Sequence, residues 1–370
     1  MYKDTEIEKK FAYLQVRRNI VEEMYMKKAN GITALLAVIA LAAMVALPSC
    51  KKKDKEETYK YLSGSMKYDL PVYVQPGETY VVRPSGVTHP EGKNLGYYVY
   101  TSWNSKRDTI KYDHSTDTSP ISYTLTIPDE LGDGYSFVMY AYAEDYFPSS
   151  KTTSLAIVCD DLEKVFSGLD FSDSDSRVTD PRDGMEYRTV DIDGKEWFRQ
   201  NLSFDGCGVP FSNCPAMTKV TGKFYTWEEA RTACPEGWHL STGEDWLAMG
   251  RLLSGDDGLS EHDMFPGVAG DLMVDAKFFN SRMWEYWPND VKVTNKLKFN
   301  AMSFGYATSS NEGSPRFMDP NEYAVFWTAD ADEEDGAKAW IRYLHYKQAD
   351  VLSATVDKET FLASVRCVRD

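Results

Sequence analysis

Between residues 59 and 158, short runs of apolar and aromatic residues alternate with polar positions. They are VYVQ (72–75), TYVVR (79–83), GYYVYTSW (96–103), ISYTLTI (121–127), YSFVMYAYAE (135–144) and TTSLAIV (152–158). Period-two alternation over such lengths predicts strands, separated by turns at Pro76-Gly77, Pro84-Ser85-Gly86 and Gly132-Asp133-Gly134. The pattern then changes. FSDSDSRVTDPRD, within residues 160–182, is acidic and rich in Ser, which predicts a linker closed by a turn at Pro181-Arg182-Asp183-Gly184. EYRTVDI and KEWFRQNL flank Asp193-Gly194, a two-residue hairpin signal with Val190, Ile192, Trp197 and Phe198 beside it.

From Trp227 the period becomes helical, with Trp227, Ala230 and Cys234 on one face. Thr226 is placed to cap this helix, Glu228 and Glu229 suit its first turn, and Pro235 with Gly237 ends it. Ser241 or Thr242 caps a second helix, with Glu244 and Asp245 behind it and Trp246, Leu247, Met249 and Leu252 as its stripe. Residues 254–270 are loop-rich. Strands are expected at 299–307, 323–329, 339–346 and 361–368, and Trp284, Tyr286 and Trp287 form an aromatic patch. Mixed strands with two helices predict an α+β domain over residues 183–370. Roughly seven strands over residues 59–159 fit an all-β immunoglobulin-like sandwich.

The first 50 residues are of another kind. Residues 1–23 are charged and unpatterned, so the true start is expected at Met24 or Met26. Lys27 and Lys28 then precede an apolar run from Ile32 to Leu47, which is short for a membrane span of roughly 20 residues. Leu47-Pro48-Ser49-Cys50 resembles a bacterial lipobox, which makes Cys50 the expected lipidation site; a retained anchor helix is the rival. Residues 51–58, which open with KKKDKEE, form a solvated charged tether.

A hydrophobic content of 42% with 14% aromatics is ample for two cores. The net charge of −16 argues against nucleic acid, whose phosphates need a basic face. Six cysteines are present: Cys50, Cys159, Cys207, Cys214, Cys234 and Cys367. With no Cys-x-x-Cys spacing, zinc is disfavoured against disulfides in an exported chain. No Gly-x-Ser-x-Gly, His-Glu-x-x-His or phosphate-binding loop occurs, and His239 is expected to pack structurally. The acidic run Asp330–Asp335 lacks the glycine of a calcium loop. No catalytic residue, cofactor or metal is therefore expected. Asp108-Thr109-Ile110 resembles an O-glycosylation acceptor of Bacteroides-like periplasms.

Five blocks carry a family resemblance: residues 183–204, 224–247, FNAMSFGYA (299–307), FWTAD (326–330) and SVRCVRD (364–370). In that order they resemble the Fibrobacter succinogenes major paralogous domain. Ser241 stands where that family usually has Pro, and Asp245 where it usually has Glu. The helix–Cys–Gly–Trp–Leu–helix unit closed by a late Cys also resembles the C-type lectin-like fold. That resemblance implies a long bridge between Cys234 and Cys367, worth roughly 4 kcal/mol by loop-closure entropy. The family resemblance implies a second bridge between Cys207 and Cys214, leaving Cys159 over. The expectation is an outer-membrane lipoprotein at the cell surface, anchored by lipid. Its expected role is non-catalytic binding or adhesion to a glycan or an extracellular protein, with Trp284, Tyr286 and Trp287 as candidate ligand contacts. The alternatives are a glycan-active or formylglycine-generating-type enzyme and a purely structural envelope component.

Overall fold

The computed structural model describes residues 60–103, 106–112, 121–159, 164–172, 176–284, 291–309 and 314–370. Residues from Tyr59 onward form one compact unit. The lipobox and the charged tether lie outside the described residues.

All six alternating runs of the first half contain strands. Five strands make its main sheet: β1 (Tyr73–Val74), β2 (Gly96–Trp103), β3 (Lys106–Tyr112), β4 (Gly132–Tyr142) and β5 (Ser149–Ile157). Their order is β1-β5-β4-β2-β3, antiparallel except for β1 beside β5. One face buries Val99, Tyr135, Phe137, Met139 and Leu155 in a core shared with Val82, Val87 and Leu125. Those three come from two short antiparallel pairs, Ser63–Lys67 with Ser85–Thr88 and Thr79–Val82 with Tyr123–Thr126.

The turn expected at Pro84-Ser85-Gly86 is instead the start of a strand. Gly64 and Gly86 (φ 81° and 80°) let it pair closely with its neighbour, and a Cβ on Gly64 would lie 2.1 Å from the Gly86 carbonyl oxygen. Chain-to-chain approach, not reversal, demands glycine here.

The segment read as a linker supplies two strands. Phe166–Ser167 pairs with Lys277–Phe278, and Arg177–Thr179 pairs with Glu186–Ile192. Val165 and Phe166 are buried with the second half's core. Arg182 donates twice to the buried Asp180 carboxylate and also reaches the Ala233 carbonyl at 2.6 Å, lying 3.7 Å over the Phe204 ring. The two halves are packed together through Tyr73, whose ring lies 5.3 Å from Phe211 and 5.6 Å from Phe278.

In the second half, β6 (Arg177–Thr179), β7 (Glu186–Ile192), β8 (Lys195–Phe198), β9 (His239–Leu240) and, from far along the chain, the strand Cys367–Arg369 form one sheet. Asp193 and Gly194 (φ 56° and 80°) make the expected two-residue hairpin turn between β7 and β8. A second sheet holds β10 (Tyr323–Ala331), β11 (Lys338–His345) and β12 (Leu352–Asp357) in that order. The late strand Cys367–Arg369, here β13, lies between β8 and β9.

Helix α1 (Trp227–Ala233) and helix α2 (Gly243–Ser254) both begin with a complete capping box, Thr226 with Glu229 and Thr242 with Asp245. Trp227, Ala230, Trp246 and Met249 face the core, whereas Leu252, expected on the buried stripe, is exposed. Residues 299–305 were expected as a strand and are instead buried irregular chain. Lys298 and Asn300 have positive φ, and only Tyr306–Thr308 joins a sheet. Periodicity alone cannot separate a short buried apolar run from a strand. The result is a β-rich α+β architecture of several small sheets and few helices. Among the described residues no helix is long and apolar enough to cross a membrane.

Candidate functional site

Strand β13 lies at the centre of a hydrogen-bonded and disulfide-linked cluster in the second half. Arg366, just before it, is fully buried, and its hydrogen bonds go to an amide oxygen and to backbone carbonyls. Its guanidinium donates to the Asn201 side-chain oxygen at 2.8 Å and to the Phe198, Phe299 and Asn300 carbonyls at 2.9, 2.7 and 3.1 Å. It also lies 4.3 Å over the Phe299 ring. Cys367 follows, bonded to Cys234 at the C-terminus of α1 (Cα–Cα 5.8 Å). The long bridge implied by the resemblance is therefore present.

The Cys207–Cys214 bridge is not formed. Cys214 belongs to the core around Phe211 and Met217, while Cys207 packs against the separate core around Tyr225 and Trp227. The intervening Val209–Pro210 strand and the turn at Ser212 (φ 52°) send the two side chains to different cores.

Two charged clusters flank β13. Lys195 reaches Asp245 at 2.6 Å and Asp370 at 3.4 Å, and the His239 Nε2 lies 3.0 Å from Asp245. Burial would push the Asp245 carboxyl up, but Lys195, the Thr242 amide and hydroxyl, and His239 together hold it below the usual range. His239 is exposed rather than packed, and its carboxylate partner is already occupied as a helix cap. The arrangement anchors α2 to the hairpin.

On the other side lies a cleft of about 480 Å³ lined by Ser176, Thr189, Asp191, Glu196, Arg199, Lys298 and Arg369. Glu196 accepts from Thr189 at 2.6 Å, Ser176 at 3.1 Å and Arg369. Burial opposes its charge, yet these donors keep it ionised below the ordinary glutamate range. Arg199, buried at the floor, donates to the Lys298 and Asp170 carbonyls at 3.1 and 3.2 Å. The cleft's charged groups thus hold the fold together.

Trp284 is buried in the core, which removes it as an exposed contact, and Tyr286 and Trp287 lie outside the described residues. Cys50 lies outside them too, and Cys159 closes the first half at its last described position before 164. In the acidic run, Asp330 accepts the Gly243 amide at 2.6 Å at the start of α2, and Asp335 pairs with Lys338 at 2.9 Å. Among the described residues no group of three or more His, Cys, Asp and Glu side chains could hold a metal ion.

An aromatic cluster borders the core at one end of the β10-β11-β12 sheet, on the face that buries Val325, Trp327 and Ile341. Tyr323 pairs with His345 and Val325 with Tyr343, which in turn pairs with Leu352. Tyr306 and Phe361, from neighbouring strands, stack beside them at 4.9 Å. Tyr306, Tyr323, Tyr343, His345 and Phe361 are all half-buried. Burial and the nearby Asp319 carboxylate raise the Tyr306 and Tyr323 phenols. The available signal was the alternation Tyr323/Val325/Trp327 against Ile341/Tyr343/His345.

These features define a β-rich α+β domain whose first helix is covalently tied to a late central strand. Residues 190–369 match the model of the Fibrobacter succinogenes major domain family. A search of curated proteins finds no match to the chain.

Proposed function

We propose that the chain is an exported cell-envelope protein, anchored by lipid at Cys50, whose second half binds a surface ligand without chemistry. In this reading the first half is an immunoglobulin-like module and the second adopts a C-type lectin-like fold. The protein sits on the outer membrane at the cell surface, and its ligand is a glycan or another surface protein. The observation that carries the reading is the Cys234–Cys367 bridge. A structural disulfide that staples a helix to the sheet core suits an oxidising compartment. The lipobox-like leader supports the same route. The net charge of −16 disfavours nucleic acid as the ligand. The test is a glycan array and a panel of envelope proteins probed with the full chain, with and without calcium. Specific, saturable binding to one of them is expected. Turnover of a bound glycan would replace this reading with an enzymatic one.

A further inference from the structure

We propose that a crevice between the two halves binds a small organic cation, an ammonium group on a short apolar stem; the site is independent of the glycan or protein reading above. The crevice holds about 230 Å³. Its floor is buried and apolar, with Leu155 from the first half and Met283 and Phe304 from the second. Its walls are the rings of Tyr73, Phe278 and Phe279, all half-buried, so the space opens to solvent between them. The volume lies below the roughly 300–1,000 Å³ of pockets for drug-sized ligands and suits a group of a few heavy atoms.

The rings stand as walls, not as a stack. Phe279 lies 4.6 Å from Phe278 at 50°, and Tyr73 lies 5.6 Å from Phe278 at 53°. Aromatic faces carry partial negative charge, and a cation held over them is stabilised most where water is excluded. Phe279 adds a separate sign. With Asn280 it forms the two-residue turn between Lys277–Phe278 and Ser281–Arg282, and both residues have positive φ, 46° and 67°. Such turns favour Asn or Gly, because a bulky side chain is strained at positive φ. The chain accepts that strain and sets a phenyl ring on the crevice wall, the kind of backbone outlier that gathers at ligand clamps.

Charge decides the ligand. Among the described residues lining the crevice, Asp133 is the one charged side chain. It is exposed between Gly132 and Gly134 at the start of β4, and among the described residues no hydrogen bond or ion pair occupies its carboxylate. Its field reaches the wall: burial, Cys214 and Asp133 together push the Tyr73 phenol up to about 12. Lys277 and Arg282 pair with each other on the reverse side of the hairpin, since Phe278 and Ser281 face the crevice. Ser154, Ser281 and Asn321 add neutral hydrogen-bonding groups. A cation therefore meets one unpaired carboxylate and three ring walls, whereas an anion meets no opposite charge among the lining residues.

The experiment titrates the full chain with choline, with N-acetyl-lysine amide and with dimethylbutanol, the uncharged carbon isostere of choline, by ligand-observed NMR. At least one of the two cations should bind, and more tightly than the alcohol; which one binds separates a quaternary from a primary ammonium. Asp133→Asn should weaken cation binding by about threefold to fivefold, the scale of an exposed ion pair. Phe279→Asn, which suits the turn, should weaken it by about tenfold, the scale of a lost cation–ring contact. Glu334→Gln, which removes an exposed acid elsewhere, should leave it unchanged. Thermal melts show which variants fold, and if Phe279→Asn does not, the exposed Asp133→Asn decides. Equal binding of choline and its isostere overturns the charge argument. Cation binding that survives the folded variants overturns the crevice as the site, and absence of binding to both cations overturns the inference. None of these results bears on glycan or protein binding by the second half.

Discussion

Replacing Arg366 by Met removes a fully buried guanidinium while keeping an aliphatic stem of similar length. Four hydrogen bonds disappear, to Asn201, Phe198, Phe299 and Asn300. Bonds to a charged donor are worth about 1.5–3 kcal/mol each, or roughly 6–12 kcal/mol in gross. Against this stands the desolvation of the guanidinium, several kcal/mol in effective terms, which the variant no longer suffers. The remainder is about 3–5 kcal/mol, in line with breaking a buried charged network from one side. Burial, helped by nearby Arg199, pulls the Arg366 pKa down to about 9, so the group is still cationic at pH 7. Urea unfolding followed by tryptophan fluorescence should show a midpoint lowered by on the order of 1–2 M. Arg366→Lys keeps the charge but offers three donors from one point instead of a planar fork, and should recover part of the loss. A Met variant that unfolds at the wild-type midpoint would refute the reasoning, because the abandoned carbonyls would then have cost nothing.

Cys234→Ser should destabilise the domain by about 2–5 kcal/mol and expose one new thiol, at Cys367, countable with a thiol reagent under denaturing conditions. Asp245→Asn should lose stability at neutral pH. Because the folded carboxyl is held below its unfolded value, the wild-type advantage is present above the unfolded pKa of about 3.9 and fades as pH falls through the lower folded value. Melting curves of both proteins from pH 7 to pH 2 check this, and a gap that widens in acid would contradict the assignment. Tyr73→Ala removes the ring held between Phe211 and Phe278 and should cost about 2–3 kcal/mol, less than a fully buried aromatic; calorimetry should show the two halves separating into distinct transitions. Metabolic labelling with an alkyne fatty acid should mark the wild type and spare Cys50→Ala.

Legibility in the sequence followed the range of the interactions. The two helices were readable because a capping box spans four residues, and the Asp193-Gly194 hairpin because its signal is two residues long. Six of the first-half strands were readable from their alternation, whereas Lys106–Tyr112, KRDTIKY, carries too little apolar alternation to be read. Ser63–Lys67 was missed because its partner begins in what looks like a turn, and the requirement for glycine at 64 and 86 comes from their mutual approach. The buried run 299–305 misled because its chain is pinned by bridges from Ala301 to Met273 and from Gly305 to Ala324, well away in sequence. Cys207 and Cys214 share a loop, yet which core each enters depends on contacts assembled from the whole domain. The Tyr306–Phe361 face likewise needs four strands in register before it exists.

The placement of β13 sets an order in time. Cys367–Arg369 is an interior strand, hydrogen-bonded to β8 on one side and β9 on the other, although some 127 residues separate it from its nearer partner in sequence. Until residue 367 is available, β8 and β9 stand as two unfilled edges and Cys234 has no partner. A ribosome holding that part of the chain therefore holds the domain open, and its closure waits for release. Edges left unpaired in the interval are open to strands of other chains, so the domain's exposure to misassembly falls within that interval.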